Sequence, residues 1–337
     1  MQIFCGMKVS LFSKAHTLFS RVKIRTVQTI PFLAVLGFFL LFANQTGAAE
    51  PLVYPDSMAF HGKKPKESMI EARGGYQWGF HEIRWRDGDN PNSLPGPRIG
   101  PGKMVVPLDS IMFGLQGETF VSTDLALRAQ VWMNITQQVQ SNFYLSRIDP
   151  PPAQVPVSFQ SRWDSMARVL EADVTAIYHL GLRGTPYAAG ITGGFKYNNF
   201  DYSSQRTGNA SGTIQNHMHV YIPYTGVYYA HNDFLGAVAR LDISFSPLTI
   251  LSLDAEQRLE TTTTTFDGLS ITGCQFGSNF EWSYAASENF LLGAVAKYDY
   301  QAVSGGVTLK TGGRSSRFSL DTWRHSVFSG ISFTYLF

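Results

Sequence analysis

Large apolar residues alternate with small or polar ones along most of this chain. Because successive side chains of a strand point to opposite faces, each alternating segment predicts a strand with one apolar and one polar face. The pattern is clearest at the C-terminus, where Ile331, Phe333, Tyr335 and Phe337 occupy every second position. Ten segments of this kind are predicted, at 68–85, 105–121, 124–136, 166–180, 187–202, 214–229, 234–250, 269–285, 290–303 and 323–337.

The connections between these segments alternate between short and long. Short turns are predicted at 122–123, 181–186, 230–233 and 286–289, and long loops at 87–104, 142–165, 203–213, 251–268 and 304–322. Short periplasmic turns opposite long extracellular loops are typical of bacterial outer-membrane barrels. The sequence therefore predicts an all-β, antiparallel up-and-down transmembrane barrel of about ten strands. Twelve strands remain an alternative if 246–248 forms a tight turn and 252–263 an extra strand.

The polar faces of the strands carry ionisable residues of both signs. In a barrel of this size the lumen is hardly wider than its side chains, so these groups are expected to pair and fill it. Glu118 and Arg128 lie symmetrically about the turn at 122–123, so these two residues are the ones most strongly predicted to form an ion pair. The predicted lumen network comprises Glu118, Arg128, Glu171, Asp173, Arg240, Asp242, Glu281 and Lys297. Further inward groups are predicted at Glu71, Arg73, His81, Lys196, His217, His219 and Asp299. A small charged channel is the alternative.

The N-terminus has the order of a secretory signal peptide. Five basic residues without an acidic one precede an apolar run at 30–43, and small residues at 47–49 predict cleavage after Ala49. Met7 is an alternative start. The expected domains are a signal peptide at 1–49, a periplasmic segment at 50–67 and the barrel at 68–337. Without the signal the net charge is −3, since the signal holds five of 27 basic and none of 25 acidic residues, so no nucleic-acid partner is expected.

The aromatic C-terminus is similar to the closing strand of outer-membrane barrels, which the barrel-assembly machinery reads. Phe333, Tyr335 and Phe337 are therefore the predicted assembly signal. An edge strand of a soluble sandwich is the alternative reading. No cofactor and no metal site is expected, because the His217–His219 spacing lacks a third ligand nearby.

Residues 222–227 (IPYTGV) and 232–237 (NDFLGA) resemble the sixth and seventh strands of the omptin-like outer-membrane barrels. In that family a Pro-Tyr-x-Gly strand precedes a short turn with Asp-Phe and Leu-Gly. Residues 170–201 resemble the fourth and fifth strands. The resemblance runs in strand order from about residue 110 to the end. It implies a ten-stranded barrel that binds lipopolysaccharide and cleaves peptides at its extracellular mouth, where an Asp-Asp couple and an Asp-His couple activate a water molecule.

The family's catalytic pattern is not matched. Residues 142–165 contain only Asp149 and Asp164, and residues 251–268 contain four acids but no histidine. No catalytic residue can be assigned by the resemblance. Asp254 and Glu256 remain candidates if a histidine at the mouth meets them in space; otherwise they are solvated rim charges.

The sequence thus favours an outer-membrane surface protein without enzymatic activity, with a binding, adhesion or envelope-structural role for its extracellular loops. The alternatives are an omptin-like endopeptidase with a rearranged acidic site and, third, a narrow porin. The expected partners are outer-membrane lipid, lipopolysaccharide, the assembly machinery and an extracellular ligand that the sequence does not identify.

Overall fold

The structure is a computed structural model that describes residues 68–87, 98–122, 124–135, 137–148, 156–180, 187–206, 212–234, 237–259, 262–287, 289–311 and 314–337. The predicted signal peptide at 1–49 and the segment at 50–67 lie outside the described residues. Within the described ranges, no helix is long and apolar enough to cross a membrane.

The described residues form antiparallel strands almost throughout. The strands are β1 (Ser68–Asp87), β2 (Arg98–Pro107), β3 (Ser110–Phe120), β4 (Leu125–Asn134), β5 (Gln137–Ile148), β6 (Pro156–Leu180), β7 (Tyr187–Arg206), β8 (Gly212–Phe234), β9 (Ala237–Ser246), β10 (Ile250–Leu259), β11 (Thr262–Ser287), β12 (Phe290–Thr311) and β13 (Arg314–Leu336).

These segments build a closed barrel of ten strands. β2 and β3 both pair with β1, β4 and β5 both pair with β6, and β9 and β10 both lie between β8 and β11. Each of these couples is therefore one barrel strand with an interruption. The ring closes where β1 pairs with β13, from Met69↔Leu336 to Asp87↔Phe318. The predicted ten-stranded barrel is confirmed, and the residues at 247–249 interrupt one strand rather than forming the turn between two.

Side chains replace the backbone hydrogen bonds that are lost at the interruptions. Asn134 donates from Nδ2 to the Ala167 carbonyl at 2.9 Å, and its Oδ1 accepts from the Val169 amide at 2.7 Å. Ser246 donates from Oγ to the Pro223 carbonyl at 2.5 Å. Two of the interruptions also insert a residue, as a β-bulge does, so the side chains that face the lumen change from even numbers in β4 and β9 to odd numbers in β5 and β10.

The apolar side chains face outward at one end of the barrel and inward at the other. Near the end that carries Ser68 and Phe337, called here the terminal half, large apolar side chains point outward, as with Leu115 at 65 % exposure and Val174 at 60 %. Towards the opposite end, called the far half, the outward positions are mostly polar, as with Gln215 and Asp254, and the apolar residues are buried inside. The apolar side chains change from outward to inward at about the height of His81 along the barrel axis.

The strands are much longer than the thickness of a membrane, so the far half extends well beyond it. A strand of 26 residues, such as β11, spans roughly 65 Å along the barrel axis at about 3.3 Å per residue and a tilt of about 40°. The apolar band of an outer membrane needs only about 25 Å. The prediction of long loops at 142–165, 251–268 and 304–322 was wrong. β5 and β6 pair up to Ile148↔Pro156, β10 and β11 up to Leu259↔Thr262, and β12 and β13 up to Thr311↔Arg314.

Candidate functional site

One group of ion pairs in the terminal half of the lumen is centred on Glu118. Arg128 Nε donates to Glu118 Oε2 at 2.8 Å, and Arg240 Nη1 reaches the same oxygen at 3.3 Å. Asp242 accepts from Arg240 Nε at 3.1 Å and from Arg128 Nη1 at 3.5 Å. Two guanidinium groups and two carboxylates from three barrel strands therefore fill this part of the lumen, and their charges balance.

A second group, centred on Glu171, lies deeper towards the level of His81. Lys297 Nζ donates to Glu171 Oε2 at 2.5 Å, and Arg324 Nη2 donates to the other carboxylate oxygen. Asp299 completes the group, because it binds Lys297 Nζ at 2.9 Å and Lys196 Nζ at 2.9 Å. The guanidinium of Arg324 also stacks over the ring of Phe200 at 4.4 Å. Three cations and two anions are thus held together among buried side chains.

The remaining predicted lumen residues join smaller groups. Arg73 forms a two-bond contact with Glu71, at 2.6 and 2.7 Å, and donates to Glu281 at 2.9 Å. Asp173 accepts from Gln130 Nε2 at 2.9 Å and from the Tyr224 hydroxyl at 2.7 Å. Every residue of the predicted lumen network therefore has a hydrogen-bonded or ionic partner inside the barrel.

Apolar side chains close the lumen on both sides of these ion pairs. The far half holds a continuous core that includes Trp163, Phe200, Met218 and Phe318, and this core extends to Trp132 beside Arg73 and Lys297 in the terminal half. Smaller clusters around Ile177 and Leu336 lie at the terminal end. A cavity of about 10 Å³ remains beside the second ion-pair group, lined by Gln77, Met112, Trp132, Lys297, Asp299, Ser326 and Phe328. It is smaller than the roughly 300–1,000 Å³ typical of ligand pockets.

The outer wall of the far half carries a row of one histidine and three aspartates. Asp201, His217, Asp254 and Asp267 are successive partners across β7, β8, β10 and β11. Asp201 Oδ1 and His217 Nδ1 are 2.9 Å apart, and the His217 side chain is 54 % exposed. The carboxylate of Asp201 can orient the imidazole, and Asp254 lies directly opposite His217 in the pairing register. This arrangement could accept a proton from a bound water molecule.

The two candidate acids differ in their surroundings. Asp254 belongs to the row, whereas Glu256 accepts a hydrogen bond from Arg258 Nε, which raises the pKa of that guanidinium. Both acids lie on the outer wall of β10, not in the mouth of the barrel. Within the described ranges, no group of three or more His, Cys, Asp or Glu side chains is arranged to hold a metal ion.

His217 and His219 were predicted to point inward, and this was wrong. His217 is exposed, and His219 stacks with Tyr197 at 12° and accepts or donates a hydrogen bond with its hydroxyl at 2.8 Å. The prediction assumed that apolar residues face outward everywhere. In β8 the apolar positions 214, 218, 220 and 222 are buried inside, so the odd positions lie on the outer wall. The uninterrupted polar character of 213, 215, 217 and 219 was the available signal.

Comparison with known proteins supports the fold. No protein-family model and no curated protein sequence matches the chain. Among solved structures, the outer membrane protease OmpT from Escherichia coli is similar with a TM-score of 0.67 and 11 % identity, covering 80 % of this chain and 97 % of that one. The translocator domain of autotransporter NalP from Neisseria meningitidis is more distant, with a TM-score of 0.36 and 12 % identity over 92 % of this chain and 97 % of that one. The chain is therefore a β-barrel of the bacterial outer-membrane type with an omptin-like fold.

Proposed function

We propose that this protein is a closed barrel that acts at the cell surface without catalysing a reaction, in a binding, adhesion or envelope-structural role. Its outer wall and its loops at the far end carry that role. The apolar core that fills the far half of the lumen is the observation that supports this proposal. A lumen filled in this way leaves the outer surface as the place where a partner can bind.

The same core is an argument against an omptin-type peptidase. Such an enzyme needs carboxylates and an imidazole that face the mouth of the barrel, where they can activate water for attack on a peptide. Among the described side chains, the inward positions beyond the level of His81 are apolar residues, serines, threonine and asparagine, with no carboxylate or imidazole. A peptide that entered this end of the barrel would meet no group able to accept a proton.

The outer row supports a second candidate function, an endopeptidase with a rearranged site. Here His217, held by Asp201, would act as the general base, and Asp254 would hold the water molecule. The row lies on an open wall rather than in a cleft, and it lacks side chains that would surround a substrate. We therefore rank this function below a binding role.

Hydrolysis of dibasic fluorogenic peptides by the refolded barrel, with lipopolysaccharide present, tests both candidates. Heat-shifted gel mobility first establishes that the barrel is folded. The binding role predicts no turnover. Turnover that His217→Ala and Asp254→Asn abolish, and that the matched change Glu256→Gln leaves intact, would establish the peptidase instead.

A porin is the third candidate, and planar bilayer recordings test it. The ion pairs and apolar clusters fill the lumen at successive levels, so we expect no discrete conductance steps. Reproducible steps from the folded barrel would refute the closed-lumen interpretation.

We further propose that Phe333, Tyr335 and Phe337 form the signal for the assembly machinery. Phe333 and Tyr335 on β13 and Phe337 directly after it are exposed, at 41, 50 and 53 %. Replacement of Phe337 by serine is expected to lower the amount of barrel in the membrane of expressing cells, while refolding of the purified chain into detergent stays efficient. Equal loss in both settings would indicate a role in stability instead.

A further inference from the structure

The charged side chains on the outer wall of the far half are unequally distributed around the barrel. On β7, β8, β10 and β11, the described outward side chains include four carboxylates and one guanidinium. The carboxylates are Asp201, Asp254, Glu256 and Asp267, and the guanidinium is Arg258. We call this surface the acidic face; it covers four adjacent strands of the ten.

The adjoining part of the wall, from β12 to β2, is basic. Arg84 on β1 and Lys103 on β2 are direct partners in the pairing register, and their side chains are 43 % and 36 % exposed. Both bind Glu82, with Lys103 Nζ at 2.7 Å from Oε2, and Asp321 on β13 lies opposite Arg84 in the pairing register, so these four side chains balance in charge. Lys310 on β12 and Arg317 on β13 are exposed on the same part of the wall and give it a net positive charge. We call this surface, from β12 to β2, the basic face.

The two faces adjoin between the paired strands β11 and β12. In the order of the ring, the middle of the acidic face falls between β8 and β10, and the middle of the basic face falls between β13 and β1, four of the ten strands away. Asp267 and Arg317 are also close to the same height, since Asp267 pairs with Thr308 and Thr308 pairs with Arg317. Because all copies of a barrel insert in one orientation, the acidic face of one copy can meet the basic face of the next at matching height.

We propose that the acidic face of one copy docks against the basic face of a second copy in the plane of the membrane. The contact is heterologous, so it can extend into rows or close into rings. A cationic peptide would fit only the acidic face, and an anionic lipid headgroup only the basic one. A second copy of this chain satisfies both faces with one contact. The attraction acts over about 8 Å at physiological salt, so the contact depends on ionic strength.

Energy transfer between donor-labelled and acceptor-labelled barrels in proteoliposomes tests this proposal. At low protein density, we expect transfer above the level for randomly placed barrels, and its loss at about 1 M salt, where screening shortens to about 3 Å. The variant Asp254→Lys with Asp267→Lys has two basic faces, and the variant Lys310→Glu with Arg317→Glu has two acidic faces. Each variant alone should show only random transfer, whereas a mixture of the two should regain the wild-type level.

A matched pair of variants separates face-specific attraction from total charge. Asp254→Asn with Asp267→Asn and Gln138→Lys with Gln140→Lys both add two positive charges, but the glutamines are exposed on β5, outside both faces. Only the first should lower the transfer. Heat-shifted mobility checks that every variant is folded. Random transfer for the wild type, no recovery in the mixture, or abolition of wild-type transfer by a chelator of divalent cations would each overturn the proposal.

Discussion

Glu171 is the residue whose replacement tests the filled lumen most directly. Its carboxylate is 2 % exposed and binds two cations, Lys297 and Arg324. The change Glu171→Gln keeps the shape of the side chain and removes its charge. Lys297 retains Asp299 at 2.9 Å, but Arg324, also 2 % exposed, loses the carboxylate with which it forms its salt bridge.

The expected magnitude follows from the cost of leaving a buried charge without its partner. Removal of one member of a buried ion pair typically destabilises a protein by about 3–5 kcal/mol. Because Arg324 remains packed over Phe200, water cannot easily solvate it in place. We therefore expect Glu171→Gln to lower the free energy of unfolding by about 3–5 kcal/mol. The double change Glu171→Gln with Arg324→Met removes the stranded charge and should recover more than half of that loss.

The assay is urea unfolding of the barrel in lipid vesicles, followed by tryptophan fluorescence. Glu256→Gln serves as the control, since it breaks an ion pair with Arg258 that lies on the exposed outer wall. Its expected cost is below about 1 kcal/mol. Equal free energies of unfolding for Glu171→Gln and Glu256→Gln would refute the reasoning, because the lumen would then have to be as wet as the outer wall.

Three other substitutions test separate parts of the structure in the same unfolding assay. Gly75→Ala should lower the free energy of unfolding by about 1–3 kcal/mol, because its Cβ would lie 2.2 Å from the Ser329 carbonyl oxygen where β1 pairs with β13. The control Gly193→Ala places its Cβ within 4 Å of no other atom, so its effect on stability should be close to zero. Asn134→Ala should lower the free energy of unfolding by about 1–3 kcal/mol, because the Val169 amide and the Ala167 carbonyl lose their hydrogen-bond partner at the interruption between β4 and β5. An unchanged free energy of unfolding would mean that water replaces the side chain. Val174→Arg should cost about 2–4 kcal/mol if its position faces lipid, and Gln215→Arg almost nothing; similar costs would place the membrane boundary elsewhere.

The terminal half of the barrel could be predicted from the sequence because its strands obey one simple pattern. Lipid outside and ion pairs inside give an alternation of apolar and polar residues, as in 125–134 and 327–336. Residues on the polar face, such as Glu118, Arg128 and Glu171, could be selected from this alternation alone. Their partners could not, because Arg324 and Glu171 come from strands far apart in the chain, and only the closed ring places them together.

The strands of the far half could not be predicted from the sequence, for two physical reasons. Its outer wall faces water, so the alternation is inverted, with apolar Leu251, Leu253 and Ala255 inside and polar residues between them. In addition, the inserted residues between β4 and β5 and between β9 and β10 change the lumen-facing positions from even to odd numbers. A pattern that inverts and shifts register within one strand has no long uninterrupted period, so 250–259 had the appearance of a loop.

The same inversion determines where a functional surface can lie. In the terminal half of a strand, the outward side chains contact lipid and the inward side chains form ion pairs. A soluble partner can therefore bind neither face. In the far half the inner face is committed to the apolar core, which leaves the outer wall as its solvated surface among the described residues. The Asp201–His217 pair, the acidic face and the basic face all lie on that wall. Experiments on function are therefore best directed at outward residues between the level of His81 and the far end, and changes inside the lumen should act on stability first.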